Sequence, residues 1–147
     1  LIKQLVVKTV RRDQPDIPLV EQQKPVAVFA ALDQTEQISL FARDITDVLV
    51  RVAPLMEVVR TASAANPELA VLYSQLQSGR RENIARFVEA LASNGPLRSP
   101  LDQKSATSNA WRLASPELFT LMAKTEGMDR GEYAGWLSQA LQVLLLP

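Results

Sequence analysis

Apolar residues along this chain recur at the three- and four-residue spacings of a helix, and the prolines, glycines and capping residues between them divide the pattern into segments. The sharpest run begins at Asp33, where Ile38, Phe41, Ile45, Val48 and Val52 follow one another at intervals of three or four. That is one face of a helix, with Asp33 or Thr35 as its cap. Pro54 lacks an amide donor and clashes with the carbonyl four residues earlier, so "LMEVVRTASAA" is expected to continue as a kinked or separate helix.

The stretches "ANPEL" at 65–69 and "ASPEL" at 114–118 share one local grammar. Asn66 and Ser115 each supply a side-chain acceptor for orphan helix amides, proline at the first helical position has no amide to leave unpaired, and glutamate faces the positive helix end. The likeness ends with these short stretches, so they are two helix starts and not a repeat. The helix from Pro67 is expected to run to about Ser93 and stop at "NGP", where Gly95 offers a left-handed cap. Asp102 opens a helix to about Ala114, Ser115-Pro116 restarts it to about Lys124, Gly127 ends it, and Asp129 caps a last helix with Tyr133, Trp136, Leu137, Ala140, Leu141 and Leu144 on a wide apolar face.

Upstream, Leu1 to about Arg12 is amphipathic, with apolar residues at Leu1, Leu5 and Val6, and reads as a helix. Asp13 to Pro25, with three prolines, reads as the longest loop, and "VAVFAAL" at 26–32 as a short helix or turn. No strand-like alternation bounded by turns occurs. The expectation is therefore an all-α fold, an antiparallel bundle of about eight helical segments forming one domain over residues 1–147. The start on Leu1, with no Met, suggests a piece of something longer.

Composition narrows the chemistry. Sixteen Lys plus Arg balance sixteen Asp plus Glu, so there is no basic field to draw a nucleic-acid backbone. The chain has neither cysteine nor histidine. Disulfides, thiol nucleophiles, and thiolate or imidazole metal sites are thereby excluded, along with the commonest general base near neutral pH. No cofactor, metal or enzymatic activity is expected. No apolar run is long enough to span a bilayer, and the expected class is a soluble, cytoplasmic protein.

Two features stand apart from ordinary core patterning. In the helix from Pro67 the stripe Leu69, Leu72, Leu76, Ile84, Phe87 and Leu91 is interrupted by Arg80, which lies four residues from Leu76 and from Ile84. Its stem can pack while the guanidinium snorkels or pairs with a carboxylate. The alternative is a cation in a mostly apolar ligand cavity, lined by Phe41, Ile45, Met56, Val59, Leu72 and Leu76, with Asn83 as companion and Asn109 and Trp111 as a wall. Gly79 marks a kink or a close approach. The second feature is the C-terminal helix, where Leu141, Val143, Leu144, Leu145 and Leu146 nearly encircle its end and Gly131 and Gly135 permit close approach. That surplus points to a partner surface.

The segment "WRLASPELFTLMAKTEGMDRGEYAGWLSQALQVLLL" resembles the C-terminal signature of tetracycline-repressor (TetR) family regulators, and "LFARDITDVLVRVAPLMEVVRTASAANPELAVLY" and "RRENIARFVEALASNGPLR" resemble the family's preceding helices in order and spacing, so the resemblance covers roughly 33–146. The resemblance implies a one-component transcriptional repressor. In such regulators a small N-terminal helix-turn-helix module binds the operator, and a helical C-terminal domain dimerises and accommodates a small effector. No DNA-binding module is visible in this sequence, so what is implied here is the effector-binding and dimerisation domain, with DNA contacted only through the missing module. The implied partners are a second copy, through a four-helix bundle near 102–124 and 129–146, and a small apolar or amphipathic effector. Interface candidates are Leu118, Met122, Trp136, Leu137, Leu141 and Leu144. The alternative reading is a stand-alone helical small-molecule carrier or protein-interaction module.

Overall fold

The computed structural model describes Ala30 and residues 33–147. The expected helix at 1–12, the loop at 13–25 and almost all of the short segment at 26–32 lie outside the described residues. Among those described the fold is all-helical, with no strand. We label the helices α1 (Gln34–Ser63), α2 (Pro67–Asn94), α3 (Gln103–Leu113), α4 (Pro116–Thr120), continued by a π-helical turn over Leu121–Thr125, and α5 (Arg130–Leu145).

The helix starts follow from cap chemistry. Asp33 accepts from the Thr35 amide at 3.0 Å, Asn66 from the Glu68 and Leu69 amides at 3.0 and 3.2 Å, Asp102 from Ser105 at 2.8 Å, Ser115 from Leu118 at 3.1 Å and Asp129 from Glu132 at 2.8 Å. In each case a short polar side chain satisfies an amide that the first helical turn leaves without a partner. Pro67 and Pro116 stand at the starts of their helices, as "NPEL" and "SPEL" require.

Two expectations about breaks change. Pro54 does not divide α1, which is helical from Gln34 to Ser63. The missing amide leaves the Val50 carbonyl without its usual donor, and Pro54 itself is solvent-exposed. Strong apolar packing on the opposite face, with Leu49, Val52, Ala53, Met56 and Val59 buried, holds the helix together across it. Gly95 is not a left-handed cap either. Its backbone is extended (φ 170°, ψ 176°), and its lack of a Cβ makes room for Gln34, whose side chain would lie 2.8 Å from one. Gln34 Nε2 donates to the Leu91 carbonyl at 2.9 Å and to Pro96 O at 3.3 Å, so a side chain at the start of α1 caps the end of α2. The left-handed glycine is Gly127 (φ 74°), beside which the Met128 amide reaches back to Met122 O at 3.0 Å.

The core gathers around α1. Helices α2 and α5 pack on it, α4 joins them, and α3 packs against α2 and α5. Ile38, Phe41, Ala42, Leu49 and Ala53 of α1 meet Ile84, Phe87, Val88 and Leu91 of α2, Ala106 and Ala110 of α3, Phe119 beyond them, and Tyr133, Leu137, Leu141 and Leu145 of α5 in one apolar cluster. Phe41 and Phe87 stack at 4.0 Å between centroids, and Phe119 meets Tyr133 edge-on at 4.9 Å. The alanines of α3 let that short helix lie close to the core.

Candidate functional site

The arginine that interrupts the α2 stripe reaches the corner between α3 and α4. Its NH2 group donates to the carbonyls of Trp111 at 2.9 Å and Ala114 at 3.1 Å, and its NH1 group to Gln77 Oε1 at 2.6 Å. Trp111 O is among the last carbonyls of α3, so Arg80 places a cation at the negative end of that helix and occupies acceptors that no helical amide reaches. Its guanidinium also lies 5.4 Å from the centre of the Trp111 indole, with Arg81 at 5.5 Å. Arg81 in turn donates to Ser108 Oγ.

Gln77 extends the network. Its Nε2 donates to the Tyr73 hydroxyl at 2.8 Å and to Glu117 Oε1 at 3.2 Å, and Tyr73 Oη donates to the same carboxylate oxygen. Glu117 stands in the first turn of α4, where an anion is favoured. Cation and anion therefore sit at complementary helix ends and communicate through a neutral amide. Burial holds the Arg80 guanidinium below its ordinary pKa, opposed chiefly by the Glu117 charge, while burial and the Glu117 bond raise Tyr73. From the other side Tyr133 Oη donates to Leu113 O at 3.0 Å, and burial pushes its ionisation well above the ordinary range.

Of the residues expected to line a cavity, the structure brings Arg80 and Trp111 together. Phe41 is engaged with Phe87, Ile45 packs at the edge of the same core, Leu72 is buried and Leu76 half-buried on α2, and Met56 and Val59 are buried beyond Pro54 on α1. Asn83 does not accompany Arg80: it is exposed and accepts from Arg86 at 3.3 Å. Asn109 is half-buried and accepts from Arg112 at 3.3 Å. Gly79 marks no close approach, since a Cβ there would meet nothing within 4 Å. The Trp111 indole nitrogen is buried, with no hydrogen-bond partner among the described residues. Tyr73, Gln77 and Glu117 do not stand out in the sequence, although Tyr73, Gln77 and Arg80 share one face of α2 at spacings of four and three.

The interface candidates divide into two groups. Met122, Leu137 and Leu141 lie inside the subunit's own core, Leu137 and Leu141 at 0 % exposure, so a second chain cannot reach them in this fold. The reason is that α5 lays its Tyr133, Leu137, Leu141 and Leu145 stripe on α1. Leu118 and Trp136 are half-buried, while Leu144 is exposed together with Val143, which is 61 % accessible. Gly135 is exposed and open, and no charged residue occurs from Tyr133 to Pro147.

Among the described residues no group of three His, Cys, Asp or Glu could hold a metal ion, and no helix is long and apolar enough to cross a membrane. Compared with protein-family models, with curated proteins and with solved structures, the chain gives no match in any of the three.

Proposed function

We propose that this chain is the effector-binding and dimerisation domain of a TetR-like one-component transcriptional regulator, acting as a repressor. Operator contact would belong to an N-terminal helix-turn-helix module outside this chain. The observation that carries the reading is the exposed apolar residues that α5 keeps. A helix that already buries one stripe against α1 still leaves Gly135 and Val143 exposed away from that stripe and Leu144 exposed near its end, and no charged residue occurs from Tyr133 to Leu145. Depletion of charge around exposed apolar side chains is the composition of an interface centre. The contact residues in this proposal are therefore the exposed Val143 and Leu144 of α5 with the half-buried Leu118 and Trp136, in place of Leu137 and Leu141.

The effector in this reading is a small apolar or amphipathic molecule that binds one arrangement of the helices more tightly than another, since only differential affinity shifts an equilibrium. The Arg80–Trp111 corner supports such a role because it ties α2, α3 and α4 through polar contacts that a ligand can exchange. Native mass spectrometry of the purified chain tests the proposal: a dimer mass, with a small molecule retained or taken up from a panel of amphipathic compounds, is expected. A monomer that takes up a ligand supports the stand-alone carrier instead, and a monomer that binds nothing removes both readings.

A further inference from the structure

Asn94 and Gly95 form the one Asn-Gly pair in the chain, whereas Asn66, Asn83 and Asn109 are followed by Pro67, Ile84 and Ala110. An asparagine is lost when the backbone nitrogen of the next residue attacks its side-chain carbonyl carbon. Glycine favours that attack because no Cβ crowds the approach and its backbone is free to turn. Within a helix the nitrogen is held in a hydrogen bond, and the attack is suppressed.

At this pair the helix has just ended. Asn94 is the last residue of α2 and is exposed. The Leu91 carbonyl, which stands in the i−4 position to receive the Gly95 amide, accepts Gln34 Nε2 at 2.9 Å. Among the described residues the Gly95 amide makes no main-chain hydrogen bond. Gln34 thus takes up the Leu91 carbonyl at the point where the chain leaves α2.

We infer that Asn94 is a site of spontaneous deamidation in the folded protein. The Gly95 nitrogen bonds to Asn94 Cγ, the Cγ–Nδ2 bond breaks, and ammonia leaves carrying the proton lost by the Gly95 amide. The resulting succinimide is opened by water at either carbonyl, giving aspartate or isoaspartate. Both products strain this corner. A carboxylate appears at the negative end of α2, whose last turn holds no basic residue. The isoaspartate route also adds a methylene to the main chain where Gln34 rests against Gly95.

The test is to incubate the intact chain in mildly alkaline buffer and follow its four asparagines by peptide mass mapping, with enzymatic methylation to count isoaspartate. Asn94 is expected to convert at least about tenfold faster than Asn66, Asn83 and Asn109, a barrier difference of about 1.4 kcal/mol, and to yield isoaspartate. Asn94→Gln, which keeps the amide on a longer arm, is expected to abolish isoaspartate formation in that peptide. Conversion of Asn94 no faster than the other three, or isoaspartate persisting in Asn94→Gln, overturns the inference.

Discussion

The Arg80 guanidinium lies over the Trp111 indole, 5.4 Å from its centre, and donates to the main-chain carbonyl of the same residue at 2.9 Å. One side chain thereby holds both the ring and the backbone at the end of α3. The apolar stripe tolerates a cation there because its charge is spread over three oxygens, with the Glu117 carboxylate one amide away.

Replacing that cation removes partners from partly buried carbonyls. Arg80→Met keeps the stem but leaves Trp111 O and Ala114 O without their donor, and is expected to lower stability by about 3 kcal/mol. Arg80→Lys keeps the charge but lacks the planar fork, so a loss of about 1 kcal/mol is expected. Urea denaturation measures both, and equal stability of all three proteins would show that the corner is held by other contacts.

Alkaline pH acts through Tyr133. Its hydroxyl donates to Leu113 O from a buried position, and its folded pKa is raised, first by burial. The unfolded chain gives up this proton near pH 10 while the folded chain keeps it. The contribution is therefore fully present below about pH 10 and declines as pH rises toward the folded pKa, by about 1.4 kcal/mol per pH unit. Tyr73, also raised, adds in the same direction. Tyr133→Phe is expected to cost about 1 kcal/mol at neutral pH and to flatten the alkaline decline. Denaturation midpoints on either side of about pH 10 check this.

The space at Gly95 leads to a coupled prediction. Gly95→Ala places a Cβ 2.8 Å from Gln34 Oε1, which must swing away and lose its bond to Leu91 O. A loss of about 1 kcal/mol is expected. In a Gln34→Ala background the same substitution meets no such obstacle, so its effect is expected to shrink. A double-mutant cycle with no coupling would show that Gln34 does not depend on the space at Gly95.

What is legible in the sequence is chiefly local. All five described helix starts are readable, because a cap acts within three residues of itself, and Ile38, Phe41 and Val52 are readable because a buried face repeats. Long-range choices are not. Gly95 looks like a left-handed terminator until Gln34, far upstream, is seen to need its space. Pro54 reads as a kink or a break, and that the helix is not divided depends on the packing across it. Arg80 can be recognised as an anomaly on α2, but its carbonyl partners belong to a corner whose position depends on the tertiary fold. On α5, nearly every side is apolar, so the pattern could not say which leucines face α1 and which face outward.

That division of α5 points to the most direct experiment, sedimentation equilibrium on the wild-type chain and on Val143→Glu combined with Leu144→Glu. Both substitutions fall on exposed positions. If the exposed apolar residues of α5 join two copies, the wild-type chain is a dimer and the double variant a monomer with unchanged helicity. A monomeric wild-type chain, or a double variant that remains dimeric, would contradict it.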